Sequence, residues 1–139
     1  MKNILVLCTG NSCRSQIAHG YLKLFSSGKA TIYSAGIEIH GLNPNAVKTM
    51  ATDGVDISQH CSNNVSEYKN IDFDIILTVC DHAKENCPFI PSKNALRLHH
   101  NFMDPSKILG TKDEIDKAFI KTRDEIKDYC SNLINRHIE

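Results

Sequence analysis

The amino-acid sequence predicts an α/β fold in which a four-stranded parallel sheet has helices on both faces. Short apolar segments of β-prone residues alternate along the chain with longer segments whose apolar side chains recur at helical spacing. Four segments have the length and composition of strands: residues 4–7, 31–34, 73–79 and 95–98. The alternation favours parallel pairing, because each helix carries the chain back across a face of the sheet.

Three segments have the sequence pattern of helices. The first follows the N-terminal strand and ends at residues 26–28, where two serines precede a glycine. The second begins at Asn43 and Pro44, an N-cap residue followed by proline at the first helical position, and ends near Gly54. The third covers residues 112–137, where charged side chains separate the members of an apolar stripe.

Length and composition exclude several classes of protein. The chain has 139 residues, which suits one domain over residues 1–139 with a core that needs no disulfide or structural metal. Its 16 basic and 16 acidic residues give no net charge that would attract nucleic acid or a membrane surface. No signal-peptide pattern is present, and no apolar stretch approaches the roughly 20 residues of a membrane span. We therefore expect a cytoplasmic protein that binds neither nucleic acid nor membrane.

The cysteines are expected to serve chemistry rather than cross-linking. Disulfide frameworks belong mainly to small secreted domains, and a zinc site needs close ligand pairs such as Cys-x2-Cys. The spacings of Cys8 to Cys13 and of Cys80 to Cys87 are wider than that. No metal and no cofactor are therefore predicted. Two further cysteines are interpreted as core residues: Cys61 and Cys130.

The loop between the first strand and the first helix has the form Cys-x5-Arg, from Cys8 to Arg14. Its small and turn-forming residues, including Gly10 and Asn11, allow successive backbone N–H groups to converge on one point. At a helix N-terminus such a nest binds a tetrahedral oxyanion, and an arginine fork holds two of its oxygens. The predicted oxyanion-binding residues are Thr9, Gly10, Asn11, Ser12, Cys13 and Arg14.

Cys8 is the predicted nucleophile of this site. The loop amides, the helix dipole and Arg14 are expected to lower the pKa of its thiol and to make it a thiolate at neutral pH. Ser15 is expected to donate a hydrogen bond to that sulfur. Cys13 is interpreted as a small packing residue, with a redox role as the alternative. A buried cysteine beside a solvated arginine is the alternative for the whole loop, and the position between strand and helix argues against it.

Residues 8–15, with the sequence Cys-Thr-Gly-Asn-Ser-Cys-Arg-Ser after an N-terminal strand, resemble the low-molecular-weight protein tyrosine phosphatase superfamily. That superfamily includes a branch of thioredoxin-coupled arsenate reductases. The resemblance extends over nearly the whole chain, including residues 33–36 and Asp104-Pro105. It implies the fold of that superfamily and a catalytic role for Asp104, which would protonate the leaving oxygen. From the residues alone, a turn aspartate is an equally good interpretation, since Asp-Pro often begins turns.

Two features favour the arsenate reductase branch. Phosphatases of this type usually carry an aromatic residue directly after Asp-Pro, whereas Ser106 follows here, and the chain has no tryptophan. The pattern Cys80-x6-Cys87-Pro88, with an almost entirely polar intervening segment, resembles that branch. We therefore predict arsenate reduction with a weak phosphatase side activity. A low-molecular-weight protein tyrosine phosphatase is the alternative, and a non-enzymatic oxyanion sensor is less well supported because the acid and the thiols are all present.

The resemblance implies a role for each of three cysteines. Cys8 would attack arsenate, and Cys80 would then attack the Cys8 sulfur as arsenite leaves. Cys87 would next attack Cys80 by thiol–disulfide exchange, which frees Cys8 and leaves a disulfide between Cys80 and Cys87. Thioredoxin is the reductant that the resemblance implies, and glutathione with glutaredoxin is left open.

Some members of the superfamily hold a potassium ion beside the anion loop. Asn11 and Ser34 match the residues expected there, but His19, Cys61 and Asn63 replace acidic and hydroxyl ligands. Because hard cations prefer oxygen ligands, no cation is predicted.

Overall fold

The computed structural model describes residues 1–81, 83, 92 and 94–138, so Cys87 lies outside the described residues. Its strands are β1 (Lys2–Cys8), β2 (Ala30–Gly36), β3 (Ile75–Thr78) and β4 (Leu96–His99). Neighbouring strands all pair in parallel, in the order β2-β1-β3-β4. The predicted four-stranded parallel sheet is confirmed.

The described residues form three α-helices and two short 3-10 helices. The α-helices are α1 (Arg14–Ser26), α2 (Pro44–Thr52) and α3 (Lys112–His137), and the 3-10 helices are Val65–Tyr68 and Pro105–Lys107. The bounds predicted for the last helix, 112–137, are confirmed. The predicted cap is confirmed as well, because the Asn43 side chain accepts hydrogen bonds from the N–H groups of Asn45 and Ala46 at 2.8 and 3.2 Å. Among the described residues, none of the helices combines the length and apolar content that crossing a bilayer requires.

The two faces of the sheet have different coverings. On one face, Ile4 and Val6 of β1 join a core cluster to which α1, α2 and α3 all contribute. On the other, Leu5 and Leu7 pack with Val65 of the first 3-10 helix. Side chains alternate along a strand, so β1 serves both cores, and its burial on both faces explains the continuous apolar run in its sequence.

The strand register brings the carboxyl ends of β1 and β3 together. Leu7 of β1 pairs with Thr78, the last residue of β3, and Cys8 pairs with Gly36, the last residue of β2. Cys80 follows β3 by two residues. Because parallel strands point the same way, Cys8 and Cys80 leave the same edge of the sheet, where open α/β sheets bind ligands.

The interpretation of Cys61 as a core residue is wrong, whereas that of Cys130 is confirmed. Cys130 is fully buried on α3, and Cys61 is exposed. Cys61 lies between α2 and the first 3-10 helix, where no periodic pattern indicates which side chains face the core. The side chain of Cys61 faces solvent, and its backbone carbonyl accepts a hydrogen bond from Gln16 Nε2 of α1 at 2.9 Å.

Candidate active site

A cavity of about 560 Å³ opens at the carboxyl edge of the sheet. Cys8 and Arg14 line it from the loop between β1 and α1. Cys80 lines it from the end of β3, and Asp104 lines it from the segment after β4. The structure therefore brings the predicted nucleophile, arginine, second cysteine and acid to one place. The remaining lining residues are Thr9, Gly10, Ser12, Cys13, His40, Asp81, Asn101, Ser106 and Lys107.

Backbone hydrogen bonds hold the anion loop against the segment that follows β2. The carbonyl oxygens of Thr9, Gly10 and Ser12 accept from N–H groups of residues 38–43 at 2.9, 3.0 and 3.1 Å. Carbonyl oxygens engaged in this way do not compete for the centre of the loop, which leaves the loop N–H groups to an anion. The main chain thus supports the predicted oxyanion nest.

Asn11 stabilises the turn of this loop from beneath. Its backbone is left-handed, with φ of +48°, a conformation that asparagine adopts more readily than most residues. Its buried side chain donates to Ser15 Oγ and accepts from the Asn63 N–H, both at 2.8 Å. A Cβ atom at Gly36 would lie 2.8 Å from the Asn11 nitrogen, so only glycine fits beside the loop. The Asn11 side chain thus supports the loop, and the bond expected from Ser15 to Cys8 stays a prediction.

Arg14 and Asp104 form an ion pair at the cavity. The Arg14 guanidinium donates to the Phe102 carbonyl at 2.9 Å and lies 3.6 Å from Asp104 Oδ2. The other carboxylate oxygen, Oδ1, accepts from the N–H and the hydroxyl of Ser106 at 3.0 and 2.6 Å. Because Ser106 engages Oδ1, Oδ2 is the oxygen that faces the arginine. The predicted acid and the predicted oxyanion-binding arginine are thereby held side by side.

Cys8 and Cys80 line the same cavity from the ends of the neighbouring strands β1 and β3. Their exposed fractions are 4% and 2%. Thr9 Oγ1 lies 3.4 Å from the Cys80 sulfur, and the Ala83 N–H donates to the same sulfur at 3.4 Å. The hydrogen bond from Cys8 is the largest cause that lowers the pKa of Cys80. Cys80 is therefore prepared to be a thiolate.

The sequence predicts a lowered pKa for Cys8, whereas in the structure this pKa is raised. Arg14 and the Thr9 backbone do lower the pKa of Cys8, as expected, but the hydrogen bond to Cys80 and then burial raise it by more. The two thiols titrate as a coupled pair, in which the pKa of Cys8 is raised and that of Cys80 is lowered.

Cys13 has the environment of a packing residue. Its side chain is 4% exposed and belongs to the larger core cluster. Burial, followed by the charge of Asp104, raises the pKa of Cys13 to about 12. The thiol therefore stays protonated at neutral pH, which supports packing over the redox alternative.

The structure places two histidines, His19 and His60, in contact beneath the anion loop, and the sequence analysis does not predict this pair. Gln16 donates to the Asn11 carbonyl at 3.1 Å, and its Oε1 lies 3.0 Å from His60 Nδ1. The His60 ring packs on His19 with centroids 4.4 Å apart, and His19 Nδ1 lies 2.8 Å from Ser34 Oγ. Burial lowers the pKa of His19 to about 3, so this ring is uncharged at neutral pH. Within the described ranges, no three histidine, cysteine or acidic side chains come together as metal ligands.

Four further residues that line the cavity are not predicted from the sequence: His40, Asp81, Asn101 and Lys107. Asp81 could have been found from its position directly after Cys80 at a strand end. His40, Asn101 and Lys107 lie in segments without periodicity, and the sequence carries no signal that directs them to the cavity. Cys87, a predicted site residue, lies outside the described residues.

The fold and the site define a class of α/β protein in which a strand, a nest-forming loop and a helix present a cysteine to an oxyanion. The sequence pattern of one such family, low molecular weight phosphotyrosine protein phosphatase, matches residues 3–139. The chain belongs to this family.

Individual relatives indicate a branch of the family. A protein of Halalkalibacterium halodurans described as an arsenate reductase is 47% identical over 125 residues, which cover 90% of this chain and 89% of that protein. A solved structure described as an arsenate reductase in oxidized state has a TM-score of 0.84 at 26% identity and 98% coverage of both chains. Another, described as an arsenate reductase in the phosphate binding state, has a TM-score of 0.81 at 27% identity and the same coverage, 98% of both chains.

Proposed function

We propose that this protein reduces arsenate to arsenite through a relay of cysteines that thioredoxin resets. The observation that carries the proposal is that Cys8, Arg14, Cys80 and Asp104 all line one cavity at the carboxyl edge of the sheet. The similarity to proteins described as arsenate reductases, one of them in an oxidized state, supports it. One domain, residues 1–139, would carry out every step except the final reduction by thioredoxin.

The first step forms a bond between arsenic and sulfur. The loop N–H groups and Arg14 hold the arsenate oxygens, and the Cys8 thiolate attacks arsenic. Asp104 gives a proton to the departing oxygen, which leaves as water. The described structure supports these roles, because Asp104 Oδ2 lies 3.6 Å from the arginine that would hold the anion.

The second step transfers electrons to arsenic. The Cys80 thiolate attacks the Cys8 sulfur, so that a sulfur–sulfur bond forms and the bond between sulfur and arsenic breaks. The electron pair of the broken bond stays on arsenic, which falls from the +5 to the +3 state and leaves as arsenite. Once Cys8 carries arsenic its thiol no longer donates to Cys80, but Thr9, the Ala83 N–H and the charge of Arg14 still lower the pKa of Cys80 and favour it as the attacking thiolate.

The third step moves the disulfide to a position where a partner reduces it. We infer from the Cys80-x6-Cys87-Pro88 pattern that Cys87 attacks Cys80 and releases the Cys8 thiolate. Thioredoxin, an external dithiol, then reduces the disulfide between Cys80 and Cys87. A cytoplasmic location and a role in arsenical resistance are the corresponding biological proposals.

Phosphate ester hydrolysis is the second candidate function, and membership of the phosphatase family supports it. Phosphate has nearly the shape and charge of arsenate, so the same loop, Arg14 and Asp104 serve its first step. Thiols do not reduce phosphorus, so Cys80 cannot release the phosphate from Cys8 by a redox step. Water would hydrolyse the bond between sulfur and phosphorus instead. We expect this activity to be weak, since Ser106 stands where an aromatic side chain would hold a tyrosyl ring.

The test is arsenate-dependent oxidation of NADPH in the presence of thioredoxin and thioredoxin reductase. The parent protein should turn over, and Cys87→Ser should reduce turnover to a single equivalent of arsenite. Cys61→Ser is the matched control, because Cys61 is exposed outside the cavity, and it should behave as the parent. Full turnover by Cys87→Ser would refute the relay. Rapid hydrolysis of para-nitrophenyl phosphate without arsenate turnover by the parent would establish the phosphatase instead.

A further inference from the structure

Asp81, the residue that follows Cys80, is tied to β4 and the segment after it by two hydrogen bonds. Its Oδ1 lies 2.7 Å from Nε2 of His99, the last residue of β4. Its backbone N–H donates to Asn101 Oδ1 at 3.1 Å. None of these side chains takes part in the relay proposed above.

The same histidine holds the chain on the other side of Cys80. His99 Nδ1 lies 2.6 Å from Oγ1 of Thr78, the last residue of β3. One imidazole therefore connects the residue two positions before Cys80 with the residue directly after it. The short segment that carries the second thiol is enclosed between Thr78 and Asp81, and β4 holds both of them through His99.

The charge of Asp81 explains why a histidine pairs with it. Asp81 lines a cavity that would bind an oxyanion, and it adjoins a thiol whose pKa is lowered. An unpaired carboxylate would repel both negative charges. The Nε2–H group of His99 donates to Asp81 whether the ring is neutral or protonated, because the Thr78 hydroxyl either donates to Nδ1 or accepts from it. The pairing directs the carboxylate toward β4.

We propose that Asp81 and His99 are positioning residues that hold Cys80 against Cys8 for the second step of arsenate reduction. They act through Cys80 and not on arsenate. Loss of either side chain should therefore slow formation of the disulfide between Cys8 and Cys80. Loss of the Asp81 side chain, which leaves no unpaired carboxylate in the cavity, should also keep oxyanion binding intact. The inference rests on the proposed function, because it concerns the rate of one of its steps.

The test follows a single turnover in the Cys87→Ser protein, where the relay stops at the Cys8–Cys80 disulfide. Reduced protein is mixed with saturating arsenate without external reductant, and arsenite and disulfide are measured over time by rapid quenching. Asp81→Ala and His99→Ala should each slow disulfide formation about fivefold, the effect of losing one side-chain hydrogen bond worth about 1 kcal/mol. The double variant should be no slower than either single variant, because both remove one interaction.

Three further measurements separate positioning from a general loss of structure. The phosphate affinity of Asp81→Ala, measured by calorimetry, should stay within about twofold of the parent value, since the anion loop is untouched. Asp81→Asn should restore most of the rate, because its amide oxygen accepts the same hydrogen bond from His99. Asp128→Ala removes an exposed carboxylate of α3 as a matched control and should leave the rate unchanged.

Several results would overturn the inference. They are an unchanged rate in the folded alanine variants, a rate that Asp81→Asn does not restore, or a loss of phosphate affinity in Asp81→Ala as large as its loss of rate. If the Cys87→Ser protein itself formed no disulfide and released no arsenite, the proposed function would fail, and this inference with it. Normal disulfide formation there with unaffected variants would refute the positioning role alone.

Discussion

The two cysteine-bearing turns at the carboxyl edge of the sheet are built differently. The loop after β1 is held by main-chain hydrogen bonds to residues 38–43 and by the buried side chain of Asn11. In the turn after β3, main-chain hydrogen bonds hold Thr78 and Val79. Side chains contact the next two residues, with Thr9 on the Cys80 sulfur and His99 on Asp81. A main-chain nest suits any tetrahedral oxyanion. In the proposed relay the Cys80 thiol changes partner, so the second turn is the part of the site that would distinguish reduction from hydrolysis.

Replacing the nucleophile should remove every activity that starts at the first turn. Cys8→Ser exchanges a thiol for a hydroxyl of far higher pKa, so both arsenate reduction and hydrolysis of para-nitrophenyl phosphate should fall by at least about 10³-fold. Assays of both substrates on the same preparation check this. Retention of either activity would show that the two chemistries do not share a nucleophile.

Replacing the acid should weaken both chemistries less severely. Asp104→Asn keeps an acceptor for the Ser106 hydroxyl but supplies no proton, so turnover of both substrates should fall about 10²-fold. Steady-state kinetics check the size and should show the loss in kcat. An aryl phosphate with a good leaving group should lose least, because it needs protonation least. An equal loss for all leaving groups would contradict the role of Asp104 as the acid.

Removing the support of the first turn should cost folding stability. Asn11→Ala deletes the contacts to Ser15 and to the Asn63 N–H and leaves buried polar groups unpaired, so the free energy of unfolding should fall by about 1–3 kcal/mol. Urea denaturation measures this change, and Asn45→Ala on the exposed surface of α2 is the control. A variant as stable as the parent would show that the main-chain contacts alone hold the loop.

The buried histidine beneath the first turn predicts a pH dependence of stability. Burial, followed by the charges of His60 and Lys23, lowers the pKa of His19 from 6.5 to about 3, so the unfolded chain binds a proton that the folded protein does not. The contribution of neutral His19 to the free energy of unfolding is therefore fully present above pH 6.5. It is lost as the pH falls from 6.5 toward 3, by up to about 1.4 kcal/mol per pH unit. Urea denaturation at pH 7 and pH 5 measures the loss, and His19→Gln should flatten it. An equal slope in that variant would assign the dependence to other groups.

The features that the sequence predicts are those whose signals are local. The Asn43 cap, the apolar stripe over 112–137 and the motif from Cys8 to Arg14 each lie within one short stretch, and the structure contains all of them. The sequence does not predict the raised pKa of Cys8, because its largest cause is Cys80, a residue distant in sequence. The register of β1 and β3 brings the two residues together.

Contacts between distant segments account for the other differences. His99 reaches Asp81 from a neighbouring strand, and His19 reaches Ser34 across the core, and neither pair has a periodic pattern in sequence. Cys61 was assigned to the core because its residue type is usually buried, yet it lies in an irregular segment where composition does not fix orientation.

The most direct test of the difference between the two turns is Cys80→Ser, assayed with arsenate and with para-nitrophenyl phosphate. The substitution removes the thiol that passes electrons and leaves the anion loop, Arg14 and Asp104 in place. Arsenite formation should disappear, while aryl phosphate hydrolysis should stay within about threefold of the parent, because the latter needs only the first turn. Arsenite production at the parent rate, or loss of both activities together in a folded protein, would contradict the assignment of reduction to Cys80.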